Sequence, residues 1–362
     1  MSARVFEGDC LDVMANMPDN HFDAIVTDPP YHFTSIVKRF GKEGAAPAQF
    51  GADGAFARAS RGFMGKEWDG GDIAFRPETW AEALRIMKPG AHLVAFGAPK
   101  NYHRLACAIE DAGFEIRDSI FWCFGSGFPK SHNLDGDWKG WGTALKPAYE
   151  PIVLARKPLS EKTVAANVLR WGTGALNIDA CRIEGVKGVP ASPCQQDSKI
   201  YGKGASLTKG DTAGFDPNAG RWPANLCHDG SQGVLDLFPH TKSGTISPDN
   251  VRTTSKTKNA YGERKAPSEY FPGDEGSAAR FFYCPKASKQ DRAGSKHPTV
   301  KPINLMRWLI RMVTPPNGII LDPFGGSGTT GEAAMCEGIS AILIEREAEY
   351  ISDIKRRIEA AE

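Results

Sequence analysis

The sequence predicts an α/β fold built on a doubly wound, mostly parallel sheet, and three patterns carry that expectation. Short apolar runs recur near both ends of the chain, amphipathic stretches separate them, and two of the runs stop at acidic turns rich in proline or glycine. The run Ala24 to Thr27, extended back to Phe22 by FDAIVT, reads as a strand, followed by His92 to Phe96, Ile116 to Phe124, Glu150 to Ala155, Gly318 to Leu321 and Ala341 to Ile344. Most are apolar at consecutive positions, the mark of strands covered on both faces. Trp80 to Met87, Tyr102 to Ala112 and Ile303 to Val313 read as helices, the last with Ile303, Met306, Ile310 and Val313 along one face. The final helix carries Ile351, Ile354, Ile358 and Ala361 at three- and four-residue spacing.

Two stretches break this rhythm. His32 to Ile73 is rich in glycine, alanine and charge with no sustained period, so a long loop is expected after the first acidic turn. Arg156 to Arg280 is dense in Gly, Pro, Ser and Thr, with only short apolar pieces such as Val234 to Phe238, and reads as an inserted subdomain. The expected division is therefore a main domain of 1–155 plus 286–362 and an insertion of 156–285.

Composition excludes several classes. With 362 residues, 41% hydrophobic and 24% charged, the chain has the makeup of a soluble globular protein of about two structural units. It has no apolar run of the ~20 residues that span a bilayer, and its first ten residues lack a signal-peptide centre, so a cytoplasmic location in a bacterial or phage-infected cell is expected, without membrane partners. The closest cysteines, Cys181 and Cys194, are thirteen positions apart, and no H-E-x-x-H occurs. Zinc ribbons and thioredoxin-type sites are disfavoured, and no metal is expected.

The net charge of +1 conceals a division. Residues 151–300 hold 21 basic and 14 acidic side chains, while the rest hold 23 basic and 29 acidic. A basic middle between acidic flanks fits a polyanion bound on one part of the molecule, although a solvated insertion would show the same balance.

The C-terminal strand runs into Asp322-Pro323-Phe324-Gly325-Gly326-Ser327-Gly328-Thr329-Thr330-Gly331, and a helix follows to about Glu337. Gly326, Gly328 and Gly331 satisfy G-x-G-x-x-G, and Glu345 ends the next strand nineteen residues after Gly326. The pattern implies a nucleoside-containing cofactor, with the acid accepting ribose hydroxyls. A phosphate-binding P-loop is excluded by the absence of lysine between Asp322 and Glu345. A carboxylate at the strand end repels a pyrophosphate and suits a cationic ligand, which weighs against a dinucleotide.

The N-terminal strand ends in Asp28-Pro29-Pro30-Tyr31. Two prolines cannot continue a central strand, so the chain turns at the carboxyl edge, where α/β sheets place ligands. A stiff turn capped by aspartate is one reading. The other is chemical: Asp28 and the Pro29 carbonyl would hold two acceptors around one planar amino group, while Tyr31 offers a ring to stack on a base.

With these motifs the chain resembles the β-class DNA amino-methyltransferases, which move methyl from S-adenosylmethionine to an exocyclic base nitrogen. The order is that of the family: Asp28 to Tyr31, a basic middle, His297-Pro298-Thr299-Val300-Lys301-Pro302, then Asp322 to Thr330. The resemblance implies a seven-stranded Rossmann-like methyltransferase domain with an inserted DNA-recognition subdomain, and S-adenosylmethionine as cofactor. The segment Arg280 to Lys289 (RFFYCPKASK) is similar to the strand by which the family returns from such an insertion to the sheet. It assigns catalysis to Asp28, Pro29, Pro30 and Tyr31. It assigns the cofactor to Asp28, Asp322, Pro323, Phe324, Gly326, Ser327, Gly328, Thr329 and Glu345. Asp9, beside Cys10, would meet the adenine amino group of the cofactor or serve as a helix N-cap. Thr299 and Lys301 would lie near the methionine carboxylate, with a solvated lysine as the alternative, and His297 reads as structural. Trp122 would form an aromatic wall of the base pocket, though strand aromatics commonly pack in cores.

The resemblance further implies that the target base is flipped out of the duplex and that the insertion reads DNA in sequence-specific fashion, in a restriction-modification setting. A homodimer is compatible with it, and a cognate nuclease is not fixed. Aspartate at the first position of the N-terminal motif favours adenine N6 over cytosine N4. A nicotinamide-dependent oxidoreductase and a catalytically dead DNA-binding regulator are the rival classes.

Overall fold

The computed structural model describes residues 2–31, 72–127, 131–184, 197–198, 202–203, 219–242, 244, 273–285, 291, 295 and 300–361. They form two compact units, one of Met1–Ala180, Asn225–Ser231 and Cys284–Glu362, the other of Cys181–Ala224 and Gln232–Tyr283.

The first unit contains β1 (Ala3–Glu7), α1 (Cys10–Ala15), β2 (Phe22–Thr27), α2 (Pro77–Ile86), β3 (Met87–Phe96), α3 (Tyr102–Asp111), β4 (Glu115–Cys123), β5 (Tyr149–Arg156), α4 (Val164–Trp171), β6 (Leu226–His228), α5 (Ile303–Val313), β7 (Ile319–Asp322), α6 (Thr329–Cys336), β8 (Ser340–Glu345) and α7 (Ala348–Ala361). The strands make one sheet in the order β1-β8-β7-β2-β3-β5-β4-β6. Every neighbouring pair is parallel except those of β5, which runs antiparallel to β3 and β4. All six residues of β2 are buried, as the unbroken apolar run anticipates for a strand covered on both faces.

The core joins Phe22, Ile25, Leu93, Val153, Leu321 and Ile344 from the sheet to Trp80, Ile86, Leu105 and Ile109 from α2 and α3. Helix α2 begins with Pro77 in its first turn, where a missing N–H costs nothing. The indole of Trp80 is fully buried and donates to the Ala74 carbonyl at 2.8 Å, so its one polar atom is satisfied.

Strands β7 and β2 are neighbours, yet the chain leaves them in opposite directions across the sheet, β7 through α6 to β8 and β2 toward β3. Their carboxyl ends therefore border the crevice that forms at a reversal of strand order, where α/β sheets bind ligands.

The structure differs from three expectations, and a fourth falls outside the described residues. The sheet has eight strands rather than seven. The extra strand β6 is only three residues long, and Leu226, Cys227 and His228 pair with Phe121, Trp122 and Cys123 along the outer edge of β4. A three-residue segment shows no readable periodicity, but it satisfies backbone groups that an edge strand leaves open.

The boundary expected at 156 falls instead after Ala180. Asn167 in α4 is fully buried, and its amide donates to the carbonyls of Pro89 and Thr173 at 2.8 Å each. The Thr173 hydroxyl donates to Pro89 at 2.6 Å, and the Asn177 N–H to Met312 at 2.8 Å, so the segment Trp171 to Asp179 clasps the start of β3 and the end of α5. Polar contacts of this kind leave no hydrophobic pattern.

The return strand expected over Arg280 to Lys289 does not form at its start, where Ala278–Phe281 is a short 3-10 helix; residues 286–289 lie outside the described residues. The long loop expected from His32 also lies outside them through 71, and Ile73–Phe75 is a 3-10 turn.

The second unit holds two short antiparallel ribbons, Asp197–Ser198 with Gly202–Lys203 and His240–Lys242 with Glu275–Ser277. Arg221 and Arg280 lie over the Phe281 ring at 3.8 and 4.1 Å, and Arg280 also pairs with Asp274 at 2.5 Å. Two arginines of the basic segment are thus engaged in holding this unit together.

Candidate active site

The two strand-end motifs are tied to each other from below. Asp322, the last residue of β7, is buried, and its Oδ1 accepts the Thr27 hydroxyl at 2.6 Å and the Phe324 N–H at 3.1 Å. Its Oδ2 accepts the Thr330 hydroxyl from α6 at 2.6 Å. Burial pushes the Asp322 carboxyl up to about 6 in spite of these three donors.

Above Asp322 the glycine loop makes the turn its residue types require. Gly326 and Gly328 have positive φ, 51° and 79°, and a Cβ at Gly328 would stand 3.0 Å from the Ile354 Cα. Ser327 and Thr329 share a hydroxyl hydrogen bond of 2.9 Å. The Glu345 carboxylate at the end of β8 accepts the Gly326 N–H at 2.7 Å and the Glu347 N–H at 2.8 Å, one on each oxygen. Burial pushes its carboxyl upward, against those backbone donors. The acid is locked in place with acceptor capacity left for hydroxyl groups.

At the other strand end, Asp28, Tyr31, Glu150 and Lys301 form one cluster. The Lys301 ammonium lies 2.8 Å from Asp28 Oδ2 and 3.1 Å from Glu150 Oε2, and donates to the Tyr31 hydroxyl at 3.1 Å. Tyr31 donates to Glu150 at 3.4 Å, and the Asn101 amide donates to the Tyr31 carbonyl. Lys301 is 5% exposed and also sits 4.9 Å from the centre of the Phe96 ring. Burial draws its ammonium down, but Asp28 and Glu150 outweigh that and hold it above the ordinary lysine value. Burial, then the charges of Asp28 and Glu150, push the Tyr31 hydroxyl well above the usual range. Glu150 is raised by burial, with Lys301 opposing and Asp28 adding to the rise. In this neutralising cluster Asp28 Oδ1 stands apart: it is buried and has no hydrogen-bond partner.

Both clusters open into one cavity of 1160 Å³, larger than the few hundred to ~1,000 Å³ typical of ligand pockets. Asp9, Cys10, Asp28, Pro29, Pro30, Tyr31, Lys301, Asp322, Pro323, Phe324, Gly326, Ser327, Thr329 and Glu345 all line it. Gly328 does not line it but shapes the turn. Asp9 caps α1 through the Leu11 N–H at 2.9 Å, as one of its two readings has it, and it also borders the cavity. Burial, with Asp9 adding, pushes the Cys10 thiol up to about 12, so Cys10 presents an inert surface.

Two of the named residues are placed otherwise, and two lie outside the described residues. Lys301 is not solvated; its ammonium is engaged by Asp28 and Glu150. Trp122 is not among the lining residues, and its partner in register, Glu150, is, together with Tyr149 and with Phe124, whose ring is 5.3 Å from that of Trp122. His297 and Thr299 lie outside the described residues. Glu150 is the residue that sequence reasoning missed. Its signal was present as an acidic residue opening an otherwise apolar strand, EPIVLA, which burial in the sheet must explain by a partner.

The residues present fit S-adenosylmethionine. Buried Asp322 and Glu345 suit the cationic and ribose parts of such a ligand, and the glycine loop keeps side chains out of its path. Among the described residues no group of side chains could hold a metal ion, and no helix is long and apolar enough to cross a membrane.

Comparison with known proteins places these features in a family. Residues 22–356 match the family model of the DNA methylases, N6_N4_Mtase. The type II methyltransferase M.HindIII of Haemophilus influenzae is 24% identical over 370 residues, covering 91% of this chain and 86% of that protein. M2.MboI of Moraxella bovis is 41% identical over 73 residues, 20% of this chain and 27% of that one. Among solved structures, the complex of M1.HpyAVI with S-adenosylmethionine aligns over 98% of both chains at 16% identity and a TM-score of 0.43. The cytosine-N4-specific PvuII methyltransferase aligns over 100% of this chain and 90% of that one, at 15% identity and a TM-score of 0.46.

Proposed function

Because this chain belongs to the N6/N4 family of DNA methylases, which take their methyl group from S-adenosylmethionine, we propose that it methylates the exocyclic N6 of a flipped-out adenine in DNA. The observation that carries the reading is Asp28 Oδ1, a buried acceptor without a partner in a cavity shared with the Asp322 and Glu345 cluster. A buried unsatisfied carboxylate oxygen is costly in a native structure and is explained by the donor it awaits.

When bound, S-adenosylmethionine supplies an electrophilic methyl group on a sulfonium. Asp322 and Glu345 hold the cofactor end of the cavity. Asp28 Oδ1 accepts one proton of the target amino group, the Pro29 carbonyl accepts the other, and Tyr31 offers its ring to the base. The bound sulfonium would supply the methyl group and keep the electron pair of the broken sulfur–carbon bond, and Asp28 would take up the amino proton released at the target nitrogen. Positioning by rigid residues supplies most of the acceleration, with no covalent enzyme intermediate. Flipping is required because a paired base cannot present its amino group to a buried donor.

Aspartate at position 28 and the larger stacking area of a purine on Tyr31 favour adenine, base–aromatic stacking being worth roughly 1 to 3 kcal/mol per base in total. Cytosine N4 offers the same two amino protons and is the second reading. The basic segment within 156–285 supplies the contacts to DNA and its sequence preference.

The test is mass spectrometry of nucleosides from unmethylated genomic DNA incubated with the protein and S-adenosylmethionine. N6-methyladenine is expected. N4-methylcytosine alone overturns the choice of base, and no methylated nucleoside overturns the reaction.

A further inference from the structure

The cluster around Lys301 has a composition that the transfer reaction, as assigned above, does not use. Lys301 is buried and Glu150 half-buried, both line the cavity, and neither is needed to accept the amino protons or to bind ribose. Burying an ion pair is expensive unless its geometry is good and its remaining valences are filled. Here they are filled in one specific way: the ammonium touches Asp28 Oδ2 at 2.8 Å, Glu150 Oε2 at 3.1 Å and the Tyr31 oxygen at 3.1 Å. Three directed contacts match the three protons of an ammonium.

We propose that Lys301 and Glu150 are a positioning pair for the methyl transfer, fixing which oxygen of Asp28 meets the target amino group and where the Tyr31 ring stands, and that Lys301 is not a ligand of the cofactor carboxylate. The inference rests on the methyltransferase reading and adds roles for two residues to it. Lys301 occupies Oδ2, so Oδ1 alone is left as acceptor. Glu150 anchors the ammonium from β5, the antiparallel strand beside β3, and receives the Tyr31 hydroxyl, so the stacking ring and the accepting carboxylate are set by one cation. The chain thereby links the strand end after β2, the start of β5 and the approach to α5, three segments that the sequence separates widely. With every proton of Lys301 engaged inside this cluster, an anionic group of the cofactor would have to displace a carboxylate to reach it.

The effect of removing either residue separates the two roles. If Lys301 served the cofactor, its loss would raise the dissociation constant of S-adenosylmethionine. If it positions Asp28, its loss lowers the rate of transfer at saturating cofactor. The experiment uses the full chain and its Glu150→Gln, Lys301→Met and doubly substituted forms. Calorimetry gives the S-adenosylmethionine dissociation constant, and single-turnover transfer of labelled methyl to unmethylated genomic DNA gives the rate. The expected result is a rate reduced by about tenfold or more in each single variant, a dissociation constant changed less than about twofold, and a double variant no slower than Lys301→Met. Such non-additivity identifies one unit acting through one ammonium.

A second readout does not depend on turnover. The carboxyl carbon resonance of Asp28, assigned by its absence in Asp28→Asn, is expected to shift in both single variants without cofactor or DNA. Wild-type rates in Glu150→Gln, or a Lys301→Met defect confined to cofactor affinity, overturn the proposal. If the unsubstituted protein transfers no methyl, the methyltransferase reading fails, and an Asp28 resonance unmoved in the variants overturns the pair as well. If Lys301→Met does not fold, Glu150→Gln decides by the same measurements, since it keeps the shape of the side chain and removes the charge.

Discussion

The Thr27 hydroxyl donates to Asp322 Oδ1 at 2.6 Å, joining the last residue of β2 to the last residue of β7 across 295 positions of sequence. One hydrogen bond thus fixes the height of the amino-group site against that of the cofactor site. Thr27→Val keeps the shape and removes the donor, and is expected to cost about 1 to 3 kcal/mol, the value of a hydrogen bond to a carboxyl group that cannot be replaced by water. Urea unfolding of the two proteins measures it; equal midpoints would show that the bond does not couple the strands.

Asp322 also predicts a pH dependence. Its folded carboxyl sits at about 6 against 3.8 for an ordinary aspartate, chiefly through burial, so the folded state holds this proton more tightly. The stabilisation from this group is fully present below about 3.8 and is lost as pH rises through about 6, at roughly 1.4 kcal/mol per unit. Asp322→Asn should flatten that part of the stability curve between pH 4 and 7. A cationic ligand prefers the ionised form, so S-adenosylmethionine affinity should weaken as pH falls through about 6, read by calorimetry at fixed ionic strength. Affinity independent of pH across that window would place the cation elsewhere.

Asp28→Ala is expected to abolish transfer, by more than about a hundredfold in rate, while leaving S-adenosylmethionine binding nearly intact. It deletes the acceptor at the reacting nitrogen and touches no residue of the glycine loop. Near-normal turnover in this variant, measured with labelled cofactor, would remove Asp28 from the chemistry.

Glu345→Ala should act on the other end of the cavity and weaken S-adenosylmethionine by roughly 1.5 to 3 kcal/mol, the range for hydrogen bonds to a charged group. Because Glu345 also receives the Gly326 N–H, the substitution loosens the glycine turn as well, and Glu345→Gln should lose less. An unchanged dissociation constant for both variants would mean that the ribose-binding acid is another residue.

Charge reversal of Lys199, Lys209, Lys256 and Lys258 should weaken DNA binding and flatten its dependence on salt, with a slope change of about one per lost phosphate contact. Lys157 belongs to a different category: its ammonium holds Asn20 at 2.9 Å and the Met87 carbonyl at 2.8 Å at the foot of the sheet. Lys157→Glu should therefore lower stability instead. If the four reversals left the salt slope unchanged, the basic segment would not be the contact.

Most of what organises the fold is local and was legible. The runs that became β2, β3, β5, β7 and β8 are apolar because both faces of an interior strand are covered, and the acidic turns after β2 and β7 stand out because proline and glycine end a strand in a recognisable way. The strand β6, the clasp of Asn167 on Pro89 and the end of the first unit at Ala180 were not legible, since each rests on backbone pairing or buried polar contacts between distant segments.

The sequence by itself determined which residues end the strands and in what order the two motifs occur, and through them the family and the cofactor. The tertiary structure alone decided what Lys301 and Glu150 do. A lysine two residues before a helix and a glutamate opening a strand carry no pattern that pairs them, and their roles follow from the low-dielectric surroundings beside Asp28. There an ion must find its counter-ion within a few ångströms, and only the folded sheet brings those three charges together.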